Sequence, residues 1–339
     1  MEPTTPLSSC PIESVAAPTH PARVALAPWP SISDTALRVV AHQWEPPELC
    51  TCCASPARTK DFLLGGNKAW EIDKSWCANA ARIMPSLARV YSEQRDFLRR
   101  AIRFAVQERD THRFLTIGGG LPDTKPLTDY VLPYTSGQAG QVVYADEDRY
   151  VLAYLDLLAS EDDQIDYVRG DFHVPGTILF TDVIERWLAD RTPICLVLNG
   201  VLDATSDTEA LAATLGCYTE RLPAGSLVIA THATVDGLDT DDPTDLALAA
   251  QMRQVCKLFR TPHWPQRHLR TTEELGQLLR GLDLLDPGIT FTANWANPPR
   301  AGDRRPAESL CLAAVAAVPS SRAGYPRMTG VRVSGRCAR

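Results

Sequence analysis

The sequence predicts an α/β protein built around a doubly wound, mostly parallel β-sheet. Segments with strand character alternate with segments of helical apolar spacing through the middle of the 339-residue chain. A strand candidate such as 194–198 is an unbroken apolar run, which is typical of a strand buried on both faces. This alternation indicates right-handed crossovers in a parallel sheet, whose ligands lie beyond the carboxyl ends of the strands.

Two segments precede the alternating core. Residues 1–50 are rich in Pro, Ala, Ser and Thr, so we predict a flexible segment with one short ordered piece at 36–40. Residues 51–110 contain amphipathic stretches at 70–83 and 87–108, which predict a helical cap packed on the sheet edge. The same apolar faces could instead form the contact of a homodimer.

The core elements follow in chain order. Short apolar runs mark the strands, whereas the helices carry apolar residues three and four positions apart. We predict strand 113–117, helix 124–133, strand 141–145, helix 149–159, strand 165–169, helix 177–189, strand 194–199, helix 207–221 and strand 226–231.

The last third of the chain is less regular. A helical region at 243–259 lies in a predicted lid segment, 237–270, and a helix begins at the capping sequence Thr271-Thr272-Glu273-Glu274. A strand is predicted at 288–293.

Beyond that strand we predict a linker and a final strand. Residues 303–323 combine Arg and Pro with an Ala-rich stretch and are predicted to be a linker, inside a flexible loop at 300–325. The alternation of 327–333 predicts a terminal strand that closes a Rossmann-like domain of residues 111–336.

Charge and composition exclude several classes of partner. The net charge of −7 disfavours duplex nucleic acid, because phosphate binding needs a basic face. The sequence contains no run of 18 apolar residues and does not begin with a basic-then-apolar signal pattern. We therefore expect a cytoplasmic protein without a membrane or nucleic-acid partner.

The ten cysteines are scattered along the chain. In a cytoplasmic protein they are most simply reduced thiols, several of them core fillers. The segment Cys50-Thr51-Cys52-Cys53 contains one C-x-x-C, but no second pair at zinc-finger spacing follows it. We predict no metal site.

A glycine-rich turn follows the first core strand. The apolar run at 114–117 opens into Gly118, Gly119 and Gly120, followed by Leu121. Glycine allows the backbone to approach a ligand closely. The third glycine of the dinucleotide fingerprint is missing, which disfavours a bound pyrophosphate and therefore NAD. The alternative is a tight strand-to-helix turn without a ligand.

Carboxylates end the next two strands. Asp146 opens an acidic cluster with Glu147 and Asp148 after the second strand, and Asp171, followed by Phe172, ends the third. A carboxylate at the tip of the strand beside the glycine turn can accept both hydroxyls of a ribose, and the second one suits an adenine amino group. Together with the glycines they predict an adenosine pocket. The alternative is that both aspartates are helix N-caps.

Strands four and five supply the catalytic candidates. Asn199 and Gly200 end strand four, where glycine again permits close approach at the reactive end of the cofactor. Asp203 follows, and His232 ends strand five, where it could act as a general base. The alternative for His232 is a hydrogen-bonded structural histidine.

The segment 256–268 lies between strand five and the next helix. Its side chains could help to position the substrate, or they could simply pack the lid. The candidates are Phe259, His263, Trp264, Arg267 and His268.

From about residue 55 to 295 the sequence resembles the actinobacterial S-adenosylmethionine-dependent methyltransferase family known as the DUF574, or S-adenosyl methyltransferase, group. The segments Leu-Leu-Gly-Gly and Gly-Leu-Pro are the more specific matches. The matching segments are 55–58, 61–68, 95–103, 117–122, 143–148, 170–172, 222–226 with His232, and 270–274.

The resemblance implies a seven-stranded class I methyltransferase fold with an N-terminal helical cap and S-adenosylmethionine as cofactor. It places Gly118 and Gly120 against the methionine and ribose, Asp146 on the ribose hydroxyls, and Asp171 with Phe172 around the adenine. It also implies that Asn199 and Gly200 lie under the sulfonium. The turn from Asp61 through Gly65, Gly66 and Asn67, together with Arg95, would close the pocket from the cap.

The chain departs from the family pattern at several points. Thr116-Ile117-Gly118 stands where the family usually has Asp-Ile-Gly, and Leu202-Asp203 stands where it has Leu-His. Asn67-Lys68 replaces the usual Lys-Asp after the double glycine. The loss of the first acid removes a group that commonly orders the amino end of the cofactor, so Thr116 and water must substitute or the methionine must lie differently.

Three functions agree with these residues. The first is methyl transfer to a small molecule, in specialised metabolism, where the enzyme aligns a nucleophile with an electrophilic methyl group. The second keeps the cofactor but cyclises or eliminates its aminobutyryl chain and releases methylthioadenosine. The third is a non-catalytic sensor of an adenosine ligand.

Overall fold

The structure is a computed structural model that describes residues 33–45, 49–122, 140–260, 264–297 and 304–320. Its helices are α1 Asp34–Gln43, α2 Pro56–Leu63, α3 Glu71–Ile83, α4 Leu87–Gln107, α5 Arg149–Glu161, α6 Gly176–Leu179, α7 Asp182–Ala189, α8 Thr208–Thr219, α9 Pro243–Leu258 and α10 Thr272–Leu278. Its strands are β1 Arg113–Ile117, β2 Gln141–Asp146, β3 Ile165–Arg169, β4 Ile194–Leu198, β5 Leu227–Ala233, β6 Asp283–Leu284, β7 Thr290–Phe291 and β8 Cys311–Ala317.

The strands form one mixed sheet in the order β3-β2-β1-β4-β5-β8-β6, and β7 also pairs with β8. The first five strands are parallel, and β8 runs antiparallel to β5. The predicted Rossmann-like α/β class with a mostly parallel sheet is therefore confirmed. Among the described residues the sheet has eight strands rather than seven, because two separate two-residue strands, β6 and β7, pair with the outer side of β8.

Helices cover both faces of the sheet, as in a doubly wound fold. Helices α4 and α5 pack on one face around Phe97, Phe114 and Val151, all of which are buried. Helices α6, α7, α8 and α10 contribute to the core on the other face. The all-apolar sequence of β4 follows from this arrangement, because both of its faces are covered.

Helix starts are set by short polar side chains. Ser55 precedes Pro56, and its hydroxyl accepts a hydrogen bond from the amide of Ala57 at the start of α2. Thr271 and Glu274 form the reciprocal capping box at the start of α10 that the sequence predicts. These contacts fix where the two helices begin beside the carboxyl edge of the sheet.

The prediction of a linker at 303–323, within a flexible loop at 300–325, is wrong for the central part of that segment. Residues 311–317 form β8, which is buried in the sheet between β5 and the edge strands. Its Ala-rich sequence has few of the β-branched residues that mark strands, and burial on both faces removes the polar alternation. The strand predicted at 327–333 lies outside the described residues, as does the helix predicted at 124–133.

Smaller differences concern three other predicted elements. The helix predicted at 177–189 is two helices, α6 and α7, and the strand predicted at 288–293 is reduced to β7. The ordered piece predicted at 36–40 is the longer α1, which packs on α6. There the carbonyl oxygen of Leu37 lies 2.4 Å from the position that a Cβ on Gly176 would take, so only glycine fits that contact.

The segment predicted as a helical cap contains α2, α3 and α4, and α4 also packs directly on β5 and β8. Helix α9 packs on α3. Among the helices in the described parts of the chain, none is both long enough and apolar enough to cross a bilayer.

Candidate active site

The carboxyl ends of β1, β2, β3 and β4 meet in register at one edge of the sheet. The amide of Gly118 donates to the carbonyl of Ala145 at 3.0 Å, and the amide of Asn199 donates to the carbonyl of Ile117 at 3.3 Å. The amide of Gly170 donates to the carbonyl of Asp146 at 3.1 Å. These hydrogen bonds bring the predicted glycine turn, Asp146 and Asn199 together.

The glycine turn requires glycine on steric grounds. Gly118 has φ +68°, and a Cβ there would lie 2.0 Å from Cγ1 of Val201. Gly120 also has a positive φ, of +72°, and packs against Ala57 of α2. Gly200, at the tip of β4, has φ +79° with no atom near the Cβ position, so its backbone faces open space. The two predicted close-approach points are therefore present at neighbouring strand tips.

Asp146 is held at the tip of β2 as an acceptor. Its Oδ1 accepts the amide hydrogen of Asp148 at 2.9 Å. Burial raises its pKa to about 7, although hydrogen bonds from the amides of Asp148, Gly120 and Glu147 oppose the rise. It is not a helix N-cap, because Asp148 caps α5 through the amide of Tyr150. The alternative interpretation of Asp146 is wrong.

Glu147 and Asp171 add two further carboxyl groups beside Asp146. Burial raises the pKa of Glu147 well above its ordinary value, and the charges of Asp171 and Asp146 raise it further. Asp171 accepts the amide hydrogen of His173 at 2.8 Å, so it stabilises the turn after β3. Concentrated carboxylates at this edge favour a cationic ligand.

The ring of Phe172 does not face the predicted adenine site. It is buried in the core, stacked on Tyr218 with ring centroids 5.2 Å apart, and its carbonyl accepts the Tyr218 hydroxyl at 3.0 Å. If Phe172 contributes to the pocket, it does so through its main chain.

Two buried polar atoms at the edge have no hydrogen-bond partner within the described residues. They are Oγ1 of Thr116 and Oδ1 of Asn199, in side chains that are only 6% and 7% exposed. Thr116 lies under the glycine turn, since its Cγ2 is 3.1 Å from the position of a Cβ on Gly119. Buried polar atoms are normally paired, so these two are suited to hydrogen-bond a ligand.

The double-glycine turn of the cap closes on Asp61. The Asp61 carboxylate accepts the amide hydrogen of Lys68 at 2.9 Å, and a Cβ on Gly66 would lie 2.3 Å from that carboxylate. Lys68 Nζ donates to the carbonyl of Pro122 at 3.3 Å and so ties the turn to the end of the glycine loop. Gly65 and Asn67 are exposed, and the structure gives them no contact with the strand tips. Direct cofactor binding by this turn stays a prediction.

Arg95 lies on α4 and interacts with Ser92 and Asp96 of the same helix. Its predicted place over the pocket stays a prediction. In the lid segment, Phe259 is buried against Trp76, with ring centroids 4.6 Å apart, as the packing interpretation expects. His263 lies outside the described residues.

Asp203 is paired rather than free. Its carboxylate lies 2.6 Å from Nη1 of Arg267, which also donates to the carbonyl of Gly200 at 2.7 Å. The carbonyl of Asp203 accepts the amide hydrogen of His268 at 2.8 Å. Asp203 and Arg267 therefore hold the lid segment against the tip of β4. A carboxylate engaged in this way is a poor general base, so the predicted catalytic role of Asp203 becomes one of positioning.

His232 is a structural residue, and its predicted catalytic role is not supported. It is 2% exposed, its Nδ1 lies 2.8 Å from the carbonyl of Ala233, and its Nε2 lies 2.9 Å from Nη1 of Arg270. Burial lowers its pKa, so the ring is neutral, donates through Nδ1 and accepts through Nε2. No lone pair remains for a substrate proton.

Arg270 is the centre of this buried frame. It also donates to the carbonyls of Leu202 and Thr205 and to the hydroxyl of Thr208. Burial lowers its pKa, while the charges of Glu274 and Asp203 oppose the change. The family match at 270–274 thus contains an arginine that joins the ends of β4 and β5 to the start of α10.

Sequence reasoning missed two polar side chains that lie within electrostatic reach of the Asp203–Arg267 pair. Burial lowers the pKa of Lys60, on α2, to about 8, and Arg267 lowers it further, while Asp203, Cys311 and Asp146 act in the opposite direction. Burial raises the pKa of Tyr91, on α4, where Arg267 and Asp203 also act on it. Lys60 therefore lies within electrostatic reach of the tips of both β2 and β4. A lysine on an amphipathic helix carries no sequence signal of such a position.

Comparison with known proteins identifies the family. The family model of S-adenosyl methyltransferases matches residues 42–319. The chain belongs to this family. The predicted enzyme class, methyltransferase, and the predicted cofactor, S-adenosylmethionine, are thereby confirmed.

Two solved structures are similar to this S-adenosyl methyltransferase over most of its length. A candidate methyltransferase from Thermobifida fusca is 26% identical, with a TM-score of 0.70, over 81% of this chain and 99% of the other. A DUF574 family protein from Streptomyces avermitilis is 26% identical, with a TM-score of 0.68, over 79% of this chain and 98% of the other. None of the curated proteins compared with the chain matches it in sequence.

The residues at the sheet edge fit this cofactor. The bare backbone at Gly118 and Gly200 permits close approach, and the carboxylates around Asp146 favour a ligand with hydroxyl donors and a positive charge. The orphaned oxygens of Thr116 and Asn199 supply acceptors, with Thr116 at the position of the missing first acid.

Proposed function

We propose that this S-adenosyl methyltransferase methylates a small nucleophilic molecule in a pocket between α2, α4 and the tip of β4. The observation that carries the proposal is the position of Lys60 and Tyr91, two half-buried polar side chains within electrostatic reach of Asp203 and Arg267 beside the cofactor edge. Polar side chains in this position, next to a methyl donor, suit an acceptor that must lose a proton during transfer.

S-adenosylmethionine supplies an electrophilic methyl group, so the protein needs to bind, orient and deprotonate the acceptor. Asp146 would accept the ribose hydroxyls, and Thr116 and Asn199 would accept from the donors of the methionine moiety. Gly118 and Gly200 would let the backbone lie against the cofactor on the side away from the acceptor.

Lys60 is the proposed proton acceptor. A lysine whose pKa is about 8 is partly neutral near pH 7.5 and can take a proton as the nucleophile forms its bond to the methyl carbon. The proton of the acceptor would pass to Nζ of Lys60 during the transfer. A sulfonium nearby would lower the pKa of Lys60 further, because like charges repel.

The Asp203–Arg267 pair would orient the acceptor. Arg267 donates hydrogen bonds to the carboxylate of Asp203 and to the carbonyl of Gly200. Burial lowers the pKa of Arg267, but the charge of Asp203 and its hydrogen bond outweigh burial and hold that pKa above its ordinary value. The guanidinium also lies over the ring of Phe259, at 5.6 Å from its centroid. The lid is thus anchored at the tip of β4 without using a proton-transfer group.

The decisive experiment supplies S-adenosylmethionine labelled in the methyl group to the full chain, alone and with small amines, phenols and thiols. Labelled acceptor with equimolar S-adenosylhomocysteine supports the proposal. Release of methylthioadenosine would contradict the proposal and would indicate cleavage of the aminobutyryl chain instead. The absence of both products across the panel would favour the adenosine sensor.

Lys60→Gln tests the proposed base. We expect kcat to fall about 100-fold, and the rise of kcat through pH 8 to disappear, because the neutral amine is the active form. Lys74→Gln is the matched control, since Lys74 pairs with Glu71 on the exposed face of α3. An unchanged pH profile in the Lys60 variant would remove Lys60 from the chemistry.

A cytoplasmic location, a role in specialised metabolism and a possible homodimer stay predictions from the sequence. The absence of a nucleic-acid or membrane partner is likewise a prediction.

A further inference from the structure

Three cysteines converge in the segment that leads into α2. The sulfur atoms of Cys50, Cys52 and Cys53 all lie within 4.8 Å of one another. The Cys50 and Cys52 sulfurs are 3.1 Å apart, and those of Cys52 and Cys53 are 4.0 Å apart. Thiolates that share one tetrahedral zinc ion at 2.3 Å stand about 3.8 Å apart, so small side-chain adjustments would bring these three onto one ion.

The three thiols differ from the other cysteines in the described parts of the chain. Cys77, Cys195, Cys217, Cys256 and Cys311 are buried, and burial raises the pKa of each thiol. Cys52 is exposed, and Cys50 and Cys53 are half-buried. The cluster is therefore accessible from solvent, as an ion-binding site must be.

The thiolate is the form of cysteine that binds metal. The three sulfurs lie in one short segment before α2, close enough together to reach a single ion.

We propose that Cys50, Cys52 and Cys53 form a three-thiolate site for a thiophilic cation, with Zn²⁺ as the expected ion. A thiolate set selects Zn²⁺ over the hard cations Mg²⁺ and Ca²⁺. Three protein ligands leave a fourth position for water or an external ligand, as in open zinc sites. The absence of a second cysteine pair at zinc-finger spacing, from which the sequence predicts no metal, disfavours a closed four-cysteine site but leaves this open one available.

The site is linked to the cofactor pocket through the start of α2. The carbonyl of Cys53 accepts a hydrogen bond from Nη2 of Arg58 at 3.1 Å, and Arg58 is itself paired with buried Asp73 at 2.6 Å. Two residues after Cys53, the hydroxyl of Ser55 donates to Asp148 at 2.9 Å, next to Asp146. A bound ion would fix the segment from which α2, with Lys60, begins. It does not take part in methyl transfer in this proposal.

The test uses the reduced full chain, stripped of metal with a chelator and titrated with Co²⁺, which substitutes for Zn²⁺ and reports its ligands by absorbance. We expect one ion per chain, near-ultraviolet sulfur-to-cobalt bands of the strength of three thiolates, and displacement by Zn²⁺. Competition against a chromophoric chelator then gives the Zn²⁺ affinity. This readout is independent of methyltransferase activity.

Cys52→Ser and Cys50→Ser should each weaken Zn²⁺ binding by about 100-fold, because each removes one ligand. Cys52 is exposed and Cys50 is only half-buried, so folding should survive. Cys217→Ala is the control, since Cys217 is buried in α8 and should leave the affinity unchanged. Absence of sulfur-to-cobalt bands, or equal Zn²⁺ affinity in the Cys52 and Cys217 variants, would overturn the proposal.

Discussion

The carboxyl edge of the sheet has two halves that use similar residues in opposite ways. In the first, at the tips of β1 to β3, Asp146 is a half-buried acceptor with a raised pKa and Thr116 has a hydroxyl without a partner in the described structure. In the second, at the tips of β4 and β5, Asp203 is bound to Arg267 and His232 to Arg270. We call these the open half and the closed half.

The difference shows that residue type at a strand tip does not decide its role. Asp146 and Asp203 both follow buried strands, and both were candidates for the site. Within the described part of the chain, of these two only Asp203 has a cation in contact, so its charge is already neutralised by the protein. A ligand can gain binding energy from groups that the protein leaves unpaired, and it gains little from groups that are already satisfied.

Asp146→Ala should produce the largest loss in the open half. We expect S-adenosylmethionine to bind at least about 100-fold more weakly by calorimetry, because two hydrogen bonds to a charged acceptor are lost. Asp163→Ala, an exposed acid before β3, is the control. An affinity equal to that of the wild type would exclude the ribose role of Asp146.

Arg270→Met should produce the largest loss in the closed half, and the loss should be in stability. It leaves buried acceptors at Leu202, Thr205 and His232 without a donor, so we expect the free energy of unfolding in urea to fall by about 3 kcal/mol. Cofactor affinity of the folded fraction should change little. Normal stability of this variant together with weakened cofactor binding would contradict this prediction and would assign Arg270 to ligand binding, as in the open half.

Gly118→Ala and Gly200→Ala compare the two close-approach points. We expect Gly118→Ala to destabilise the fold by about 2 kcal/mol or more, because it combines a positive φ with a clash against Val201. Gly200→Ala has space for its methyl group and should cost about 1 kcal/mol in thermal or urea unfolding. Cofactor affinity should nevertheless fall in both, since the added methyl groups line the binding edge. Equal destabilisation would contradict the steric argument.

The pH dependence of cofactor binding gives the smallest effect. With the pKa of Asp146 raised to about 7, the empty site holds a proton below that pH, and the proton must leave for the carboxylate to accept both hydroxyls. Affinity should therefore fall by up to about tenfold per pH unit below 7. The difference in cofactor affinity between the Asp146→Asn variant and the wild type should vanish at low pH. Lys60 is present in both proteins, so its titration cancels in this comparison. Parallel curves down to pH 5.5 would refute the assignment.

Most of the sheet was predictable because its strands obey local rules. The bounds of β1 and β3 are those predicted, and the acid of Asp146 stands at the tip expected from a strand followed by a polar turn. The strand β8 was missed because its alanines favour helix rather than strand, and its identity as a strand comes from hydrogen bonds to β5. Those hydrogen bonds join residues more than 75 positions apart in the chain.

The roles of the polar residues divide in the same manner. The sequence alone determined the α/β class, the glycine turn, the acidic strand tips and, through its resemblance, the family and its cofactor. Only the tertiary structure decided that His232 and Asp203 are satisfied by arginines, that Lys60 lies within electrostatic reach of the tips of β2 and β4, and that three sulfurs meet. The physical reason is that whether a polar group is paired depends on neighbours brought together by folding, and no local spacing records them.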